Sequence, residues 1–408
     1  MERSPTSALG FVAAIVFLDM AGVGLIVPVL PGLIEQVSGR GLNEAALIGG
    51  ALLFVYAFML FLCAPVIGGL SDRYGRRPVL LVTLAAMGID YFVMAWAPTL
   101  LWLFVGRTIS GITGATWAAA NSCIADLFPP EERGAKFGLL GGAGAAGFVL
   151  GPAIGGVLGE IGIRLPFVAA GTLALAGVVL GWFFFPETLV AEKRRTFTFA
   201  RANPLGTLRR MMRVPVVAGI LAALLLFSLG SQATMTVWAF SLIERFGWSP
   251  LYIGLSVAVY GILLAATQGV LTGRAIARFG PVRTAGIGIM AAVPAFVILA
   301  IAPSGPVLYF GIVIGALGGL AFPAFQGLMS AKVDADAQGE LQGAVASTIS
   351  IAAVLGPLVM PPVFAAFSDK SGLYFPGAPF MLGALLSACG GIVFWRTASR
   401  FLKEDRAG

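Results

Sequence analysis

Gly68-Gly69-Leu70-Ser71-Asp72-Arg73-Tyr74-Gly75-Arg76-Arg77-Pro78 is a charge-dense turn of about ten residues between two apolar runs, roughly 44–69 and 79–97. Each run has about the 20-residue length that spans a ~30 Å hydrocarbon core. So short a connection forces two membrane helices side by side and antiparallel. Its arginines then decide which side it faces, because Lys and Arg are retained on the cytoplasmic side.

The rest of the chain agrees. Of its 408 residues 58% are hydrophobic and only 11% charged, with a mean hydropathy of +0.94. Soluble chains carry about 25% charged residues, so a soluble fold is excluded. The net charge of +7 comes from basic residues scattered through loops, which suits orientation in a bilayer and no nucleic-acid partner. Cys63, Cys123 and Cys389 sit in apolar runs without paired spacing, giving neither a disulfide framework nor a metal site. Histidine is absent, which excludes His-ligated metals and His-based triads. The first apolar run is too long for a cleaved signal, contains Asp19 and is followed by many more.

Apolar runs of spanning length fall near 8–30, 44–69, 79–97, 100–126, 135–160, 164–186, 214–242, 251–273, 284–302, 305–328, 341–367 and 374–397. Twelve spans place both termini on one side. Among the 26 lysines and arginines, only Arg40, Arg164, Arg245 and Lys370 then face outward, and Arg107 lies within a span. This asymmetry makes the termini cytoplasmic. The long connection 188–213, with Lys193, Arg194, Arg195, Arg201, Arg209, Arg210 and Arg213, separates a six-helix bundle over 1–187 from a second over 214–408. With Phe197, Phe199, Leu205 and Leu208 it is either an amphipathic helix on the inner leaflet or a solvated linker.

The halves repeat at an offset of 205. Gly68, Arg73, Tyr74 and Gly75 return as Gly273, Arg278, Phe279 and Gly280; Ala97-Pro98 as Ala302-Pro303; Gly134 and Gly138 as Gly339 and Gly343; Gly151-Pro152 as Gly356-Pro357. One register over six helices implies two similar bundles related by an axis along the membrane normal, with a site near the midplane. Asp72 and Arg107 become Ala277 and Ile312, so the charges are concentrated in the first half.

Asp19, Asp90 and Arg107 are the charges deep within spans, and an intramembrane charge points to function by default. Asp19 precedes a bendable stretch with Gly22, Gly24, Pro28 and Pro31. It either exchanges protons or is held ionised by a neighbour such as Arg107 and fixes packing. Arg107 stays charged and serves as counter-ion or as anchor for a polar substrate group. In the fifth run, Gly147, Gly151 and Gly155 recur every four residues on one face, and Pro152 removes a backbone hydrogen bond. Gly142-Ala143-Gly144-Ala145-Ala146-Gly147 spells a dinucleotide fingerprint but follows no strand. Asp334-Ala335-Asp336 suggests a calcium loop, yet the twelfth position is Val345.

The pattern Gly68-xxx-Asp72-Arg73-x-Gly75-Arg76-Arg77 resembles the loop 2–3 signature of major facilitator superfamily transporters, and the Gly147–Gly156 stretch resembles that superfamily's exporter motif. Along nearly its whole length the chain resembles the tetracycline/H⁺ antiporter family, most clearly at Leu18–Pro31, Ser71–Leu80, Gly106–Thr116 and Ala321–Ser330. The resemblance implies an all-α membrane fold of two pseudo-symmetric bundles in a bacterial-type inner membrane, working as a monomer by alternating access, not an enzyme. It implies proton-coupled efflux of a small amphiphilic compound, with Asp19, Asp90 and Arg107 in transport, no cofactor and no metal. A symporter or facilitator importing a metabolite on the same fold is the alternative.

The resemblance further implies a cytoplasmic latch in which Asp126 holds Arg73 and Asp72 meets the helix beginning near 341. Two positions depart from the family: Leu264 stands where a helix 8 histidine is expected, and Met290-Ala291-Ala292-Val293-Pro294 carries no acid. The expected substrate wall is therefore neutral and aromatic: Trp117 and Asn121, then Gln232, Thr234, Trp238, Gln268, Phe322, Phe325 and Gln326. For each of these, ordinary helix packing is the competing reading.

Overall fold

The computed structural model describes residues 5–190, 192, 194, 204–334 and 337–407. Among the described residues it is 87% helix without strands. Ten stretches are long and apolar enough to cross a membrane. One of them, Pro250–Ile301, runs for 52 residues and contains a non-helical joint at Gly280 (φ +77). The 100–126 run is not one helix: it forms α5 (Leu100–Thr113) and α6 (Thr116–Leu127), separated at Gly114-Ala115. The ten stretches are thus consistent with twelve crossings.

The 68–78 stretch is much tighter than a ten-residue turn. α3 runs through it as Leu42–Tyr74 and α4 starts at Arg76 (Arg76–Ala95). The single non-helical residue is Gly75, at φ +108. Asp72, in the last turn of α3, pairs with Arg76, the first residue of α4, across this joint. Only the left-handed position needs glycine, and its repeat partner Gly280 also takes positive φ.

The first span is broken too. α1 (Pro5–Ile26) ends before Pro28, and α2 (Leu30–Ser38) begins with Pro31 near its start. Proline lacks the N–H that would carry the helix onward.

The described chain groups into two compact units. The first holds 1–41, 55–202 and 248–259. Within it α1 packs lengthwise on α7 (Pro130–Ile161), and α4 packs on α8 (Leu165–Phe184) and α5. The second holds 42–54, 203–247 and 260–408. There α10 (Pro215–Phe246) packs on α15 (Gln338–Ser368) and α16 (Ala378–Ala407), and α12 (Thr272–Ile301) on α13 (Gly305–Leu317), α14 (Ala321–Ser330) and α16.

Part of the 188–213 connection, including Lys193, Arg195, Phe197, Phe199 and Arg201, lies outside the described residues, as do Ala335 and Asp336. Pro204–Met211 forms α9, which packs on α15. Met211 is buried in the second unit's core with Leu208 against it, and Arg210 pairs with Glu340 at 2.7 Å. The apolar face of this short helix therefore seats on protein.

Candidate functional site

The intramembrane charges converge in the first unit. Asp19 of α1, Tyr56 of α3, Thr83, Met87 and Tyr91 of α4, and Arg107 and Ser110 of α5 line one recess. α4 and α5 supply its ion pair. Arg107 Nη2 donates to Asp90 Oδ2 at 2.7 Å and approaches Met94 Sδ at 2.8 Å. The Ser110 hydroxyl donates to the same carboxylate oxygen, and the guanidinium lies 5.7 Å from the Tyr56 ring centre. Asp90 is fully buried. Gly106 makes room for this carboxylate, since a Cβ there would fall on Asp90 Oδ1.

Asp19 is treated differently. It is only 7% exposed, yet its carboxylate makes no hydrogen bond or ion pair among the described residues. The arginine expected as one possible partner is committed to Asp90. Gly22, one turn on, lies against the Tyr91 hydroxyl end, and Gly24 against the Pro152 ring. The glycines expected to make α1 bendable are thus also its close-contact points. Gly147, Gly151 and Gly155 all face α1, where added Cβ atoms would run into the backbone at Phe17, Ala21 and Leu25.

The polar cluster at the α3–α4 joint differs from the expected latch. Arg76, not Arg73, binds Asp126: Nε lies 2.9 Å from its Oδ2, while Nη1 lies 2.6 Å from Asp72 Oδ1 and 3.2 Å from Ser71 Oγ. Arg76 is 7% exposed. Arg73 is exposed and stacks on Tyr74 at 5.1 Å. The reason is rotational: Arg76 opens α4 on the side that meets α6, whereas Arg73, three residues earlier, ends on the outer face of α3. Arg77 donates to the Trp182 carbonyl of α8, and Gly68 is half-buried with open space at its Cα.

Sequence reasoning missed Glu187. Its carboxylate accepts the backbone N–H groups of Arg76 at 2.8 Å and Arg77 at 3.3 Å, capping α4 from the end of α8. It occupies the space a Gly75 Cβ would need. An acid just past a helix C-terminus opposes that helix's own dipole, which was the available signal that it serves another helix. Ser110, one turn after Arg107, and Tyr56 were also missed.

The expected wall residues belong to both units. In the first unit Trp117 packs on Gly144, and Asn121 is exposed. In the second, Trp238 is buried edge-on to Phe380 at 5.9 Å. Phe325 is fully buried between Phe227 and Phe394. Gln232 packs on Gly356, and Phe322 lies against the same core as Phe325. Gln326 is half-buried and Gln268 exposed. Among the described residues no group of three or more acids or cysteines could hold a metal ion.

Membrane-length helices in two packed units, with a buried ion pair and a solitary carboxylate inside one of them, define an integral membrane protein of the polytopic transporter class. The chain belongs to the Major Facilitator Superfamily, whose description it matches over residues 12–357 and 229–407. It is 40% identical to the class C tetracycline resistance protein of Escherichia coli, over 93% of this chain and 94% of that one. It is 36% identical to the class H tetracycline resistance protein of Pasteurella multocida, with 92% of each covered. In fold it is similar to a bacterial homolog of the human lysosomal transporter Spinster, with a TM-score of 0.79 at 18% identity and coverage of 99% and 98%.

Proposed function

We propose that this protein is a secondary transporter that expels a tetracycline-like or other small amphiphilic compound in exchange for protons, by alternating access. The observation that carries the reading is the Asp19 carboxylate: held inside the membrane domain, on the same recess as Arg107, and engaged by neither hydrogen bond nor ion pair among the described residues. A charge there costs several kcal/mol of desolvation, so binding and releasing a proton changes the energy of the recess more than at any solvated carboxylate. Asp90 is unsuited to that task, because its charge is matched by Arg107 and Ser110. The tetracycline resistance relatives support the substrate class. The protein sits in the inner membrane with both termini cytoplasmic. It works as a monomer, without cofactor or covalent chemistry, the proton being the coupling ion.

The test is tetracycline movement in inside-out membrane vesicles under an imposed pH gradient, comparing the native chain with Asp19→Asn. Gradient-driven uptake by the native chain that Asp19→Asn abolishes supports the reading. Uptake that ignores the gradient, or that Asp19→Asn leaves intact, overturns proton coupling at this residue.

A further inference from the structure

Two basic side chains stand at the end of an apolar groove in the second unit. After its joint at Gly280, α12 runs antiparallel to α16 and packs on it. Glycines bring the two helices together: a methyl group at Gly286 would lie 2.7 Å from Trp395 Cζ2, and one at Gly391 would lie 2.9 Å from Ile289 Cγ2. Such small residues permit close approach between membrane helices. The two contacts set Gly286 level with Trp395 and Ile289 level with Gly391. Arg283 and Arg396 therefore stand within about two residues, or ~3 Å, of the same height. Both sit where the apolar runs of their helices end, on the side at which the basic residues of the chain are concentrated.

Arg283, Ile287 and Met290 share one exposed face of α12, and Ile392, Trp395 and Arg396 one exposed face of α16. The Trp395 ring, seated on Gly286, joins the two faces. Neither arginine side chain makes an ion pair or hydrogen bond among the described residues. No acidic residue occurs in 245–333, which covers α11 (Pro250–Ala266) to α14, or in 370–403. The walls of the groove thus bring no carboxylate to this level. In the first unit the comparable arginine is engaged. Arg77 of α4 donates to the Trp182 carbonyl of α8 and lies 5.8 Å from the Trp182 ring centre, while its backbone N–H goes to Glu187. Arg283 and Arg396 have no such partners among the described residues. Two uncompensated cations over an apolar groove complement an anionic headgroup that carries acyl chains.

We propose that this end of the α12–α16 groove binds an anionic phospholipid of the inner leaflet, its phosphate held by Arg283 and Arg396 against the Trp395 ring and its acyl chains laid along Ile287, Met290 and Ile392. Basic pockets between membrane helices on the cytoplasmic side suit such headgroups, and tryptophan favours the headgroup level. The arginines reach the phosphate while their stems stay on the apolar wall. The site uses none of the residues assigned to transport above, so it stands whether or not the chain carries tetracycline.

The experiment titrates the purified full-length protein in mild detergent with phosphatidylglycerol or phosphatidylethanolamine and counts retained lipid by native mass spectrometry. The native chain is expected to retain phosphatidylglycerol in preference to phosphatidylethanolamine. Arg283→Gln and Arg396→Gln are each expected to raise the phosphatidylglycerol needed for half-retention about fivefold, the scale of one basic side chain at an anionic surface. The double variant loses the preference. Changing both arginines to lysine keeps the two charges and most of the preference. Arg209→Gln with Arg213→Gln removes the same charge from exposed positions elsewhere in the unit and leaves the preference native. Thermal midpoints in lipid-free detergent stay native in all of these, because every altered side chain is exposed. Undiminished phosphatidylglycerol retention in the Arg283→Gln, Arg396→Gln double variant overturns the inference. So does an equal loss in the Arg209→Gln, Arg213→Gln pair, which would reduce the effect to net charge.

Discussion

The carboxylate of Glu187 accepts the backbone N–H of Arg76 at 2.8 Å, so that a side chain at the end of α8 caps α4 from 111 residues away. The first N–H groups of a helix have no partner of their own. Here one carboxylate takes two of them, with Arg77 at 3.3 Å, and also the N–H groups of Thr188 and Leu189 at 3.0 Å. The joint needs glycine at 75 and an acid at 187 together.

Glu187→Ala removes the cap and is expected to cost about 1 kcal/mol, the usual value for losing a helix N-cap. Glu187→Gln keeps an acceptor oxygen and is expected to recover about half. Apparent thermal midpoints of the purified protein in detergent rank the three forms. Equal midpoints for native and Ala forms would show that water caps α4 equally well.

At the same joint Arg76 and Arg73 separate cleanly. Arg76→Ala leaves Asp126 half-buried and unpaired, and is expected to cost roughly 3 kcal/mol, toward the low end for a broken buried pair because Asp72 is 44% exposed. Arg73→Ala touches an exposed stacking contact and is expected to stay within about 0.5 kcal/mol. A thermal comparison in which Arg73→Ala is the more damaging of the two reverses this assignment.

These two arginines show where sequence reading stops. The spans, the repeat and the concentration of charge in the first half were legible because hydropathy and spacing are one-dimensional signals. Asp19, Asp90 and Arg107 were legible because a charge in an apolar run stands out. Which arginine meets Asp126 was not legible, since it depends on the single residue at which α3 ends. Glu187 was hidden for a related reason: its partners are backbone N–H groups far along the chain. Phe325 and Trp238 have the composition of a binding surface and the burial of a core, a difference that residue type alone does not carry.

The Arg107–Asp90 pair is expected to behave as one unit. Arg107→Met strands a fully buried carboxylate and is expected to cost roughly 3–5 kcal/mol. Adding Asp90→Leu removes the stranded charge, so the double variant is expected to be more stable than Arg107→Met by at least about 1 kcal/mol, while remaining inactive in vesicle transport. The sign of the coupling in this double-mutant cycle is the readout. Additive losses would mean the two charges are solvated separately.

The glycines of α7 divide by what lies opposite them. A methyl group at Gly151 would come within 3.0 Å of Ala21 Cα and closer still to its carbonyl oxygen. Backbone cannot step aside as a side chain can, so Gly151→Ala is expected to push α1 from α7 at a cost of roughly 1–3 kcal/mol. It also shifts the helix that carries Asp19, so gradient-driven transport is expected to fall by more than the protein level. Gly142, on the same helix, has nothing within 4 Å of the place a methyl group would occupy. There the same substitution only relieves glycine's conformational entropy and is expected to be neutral or stabilising by about 0.5–1 kcal/mol. Measured together by thermal midpoint and transport rate, the two variants separate helix propensity from helix contact. Equal effects at both positions would show that the Gly147, Gly151 and Gly155 face is not what holds α1 in place.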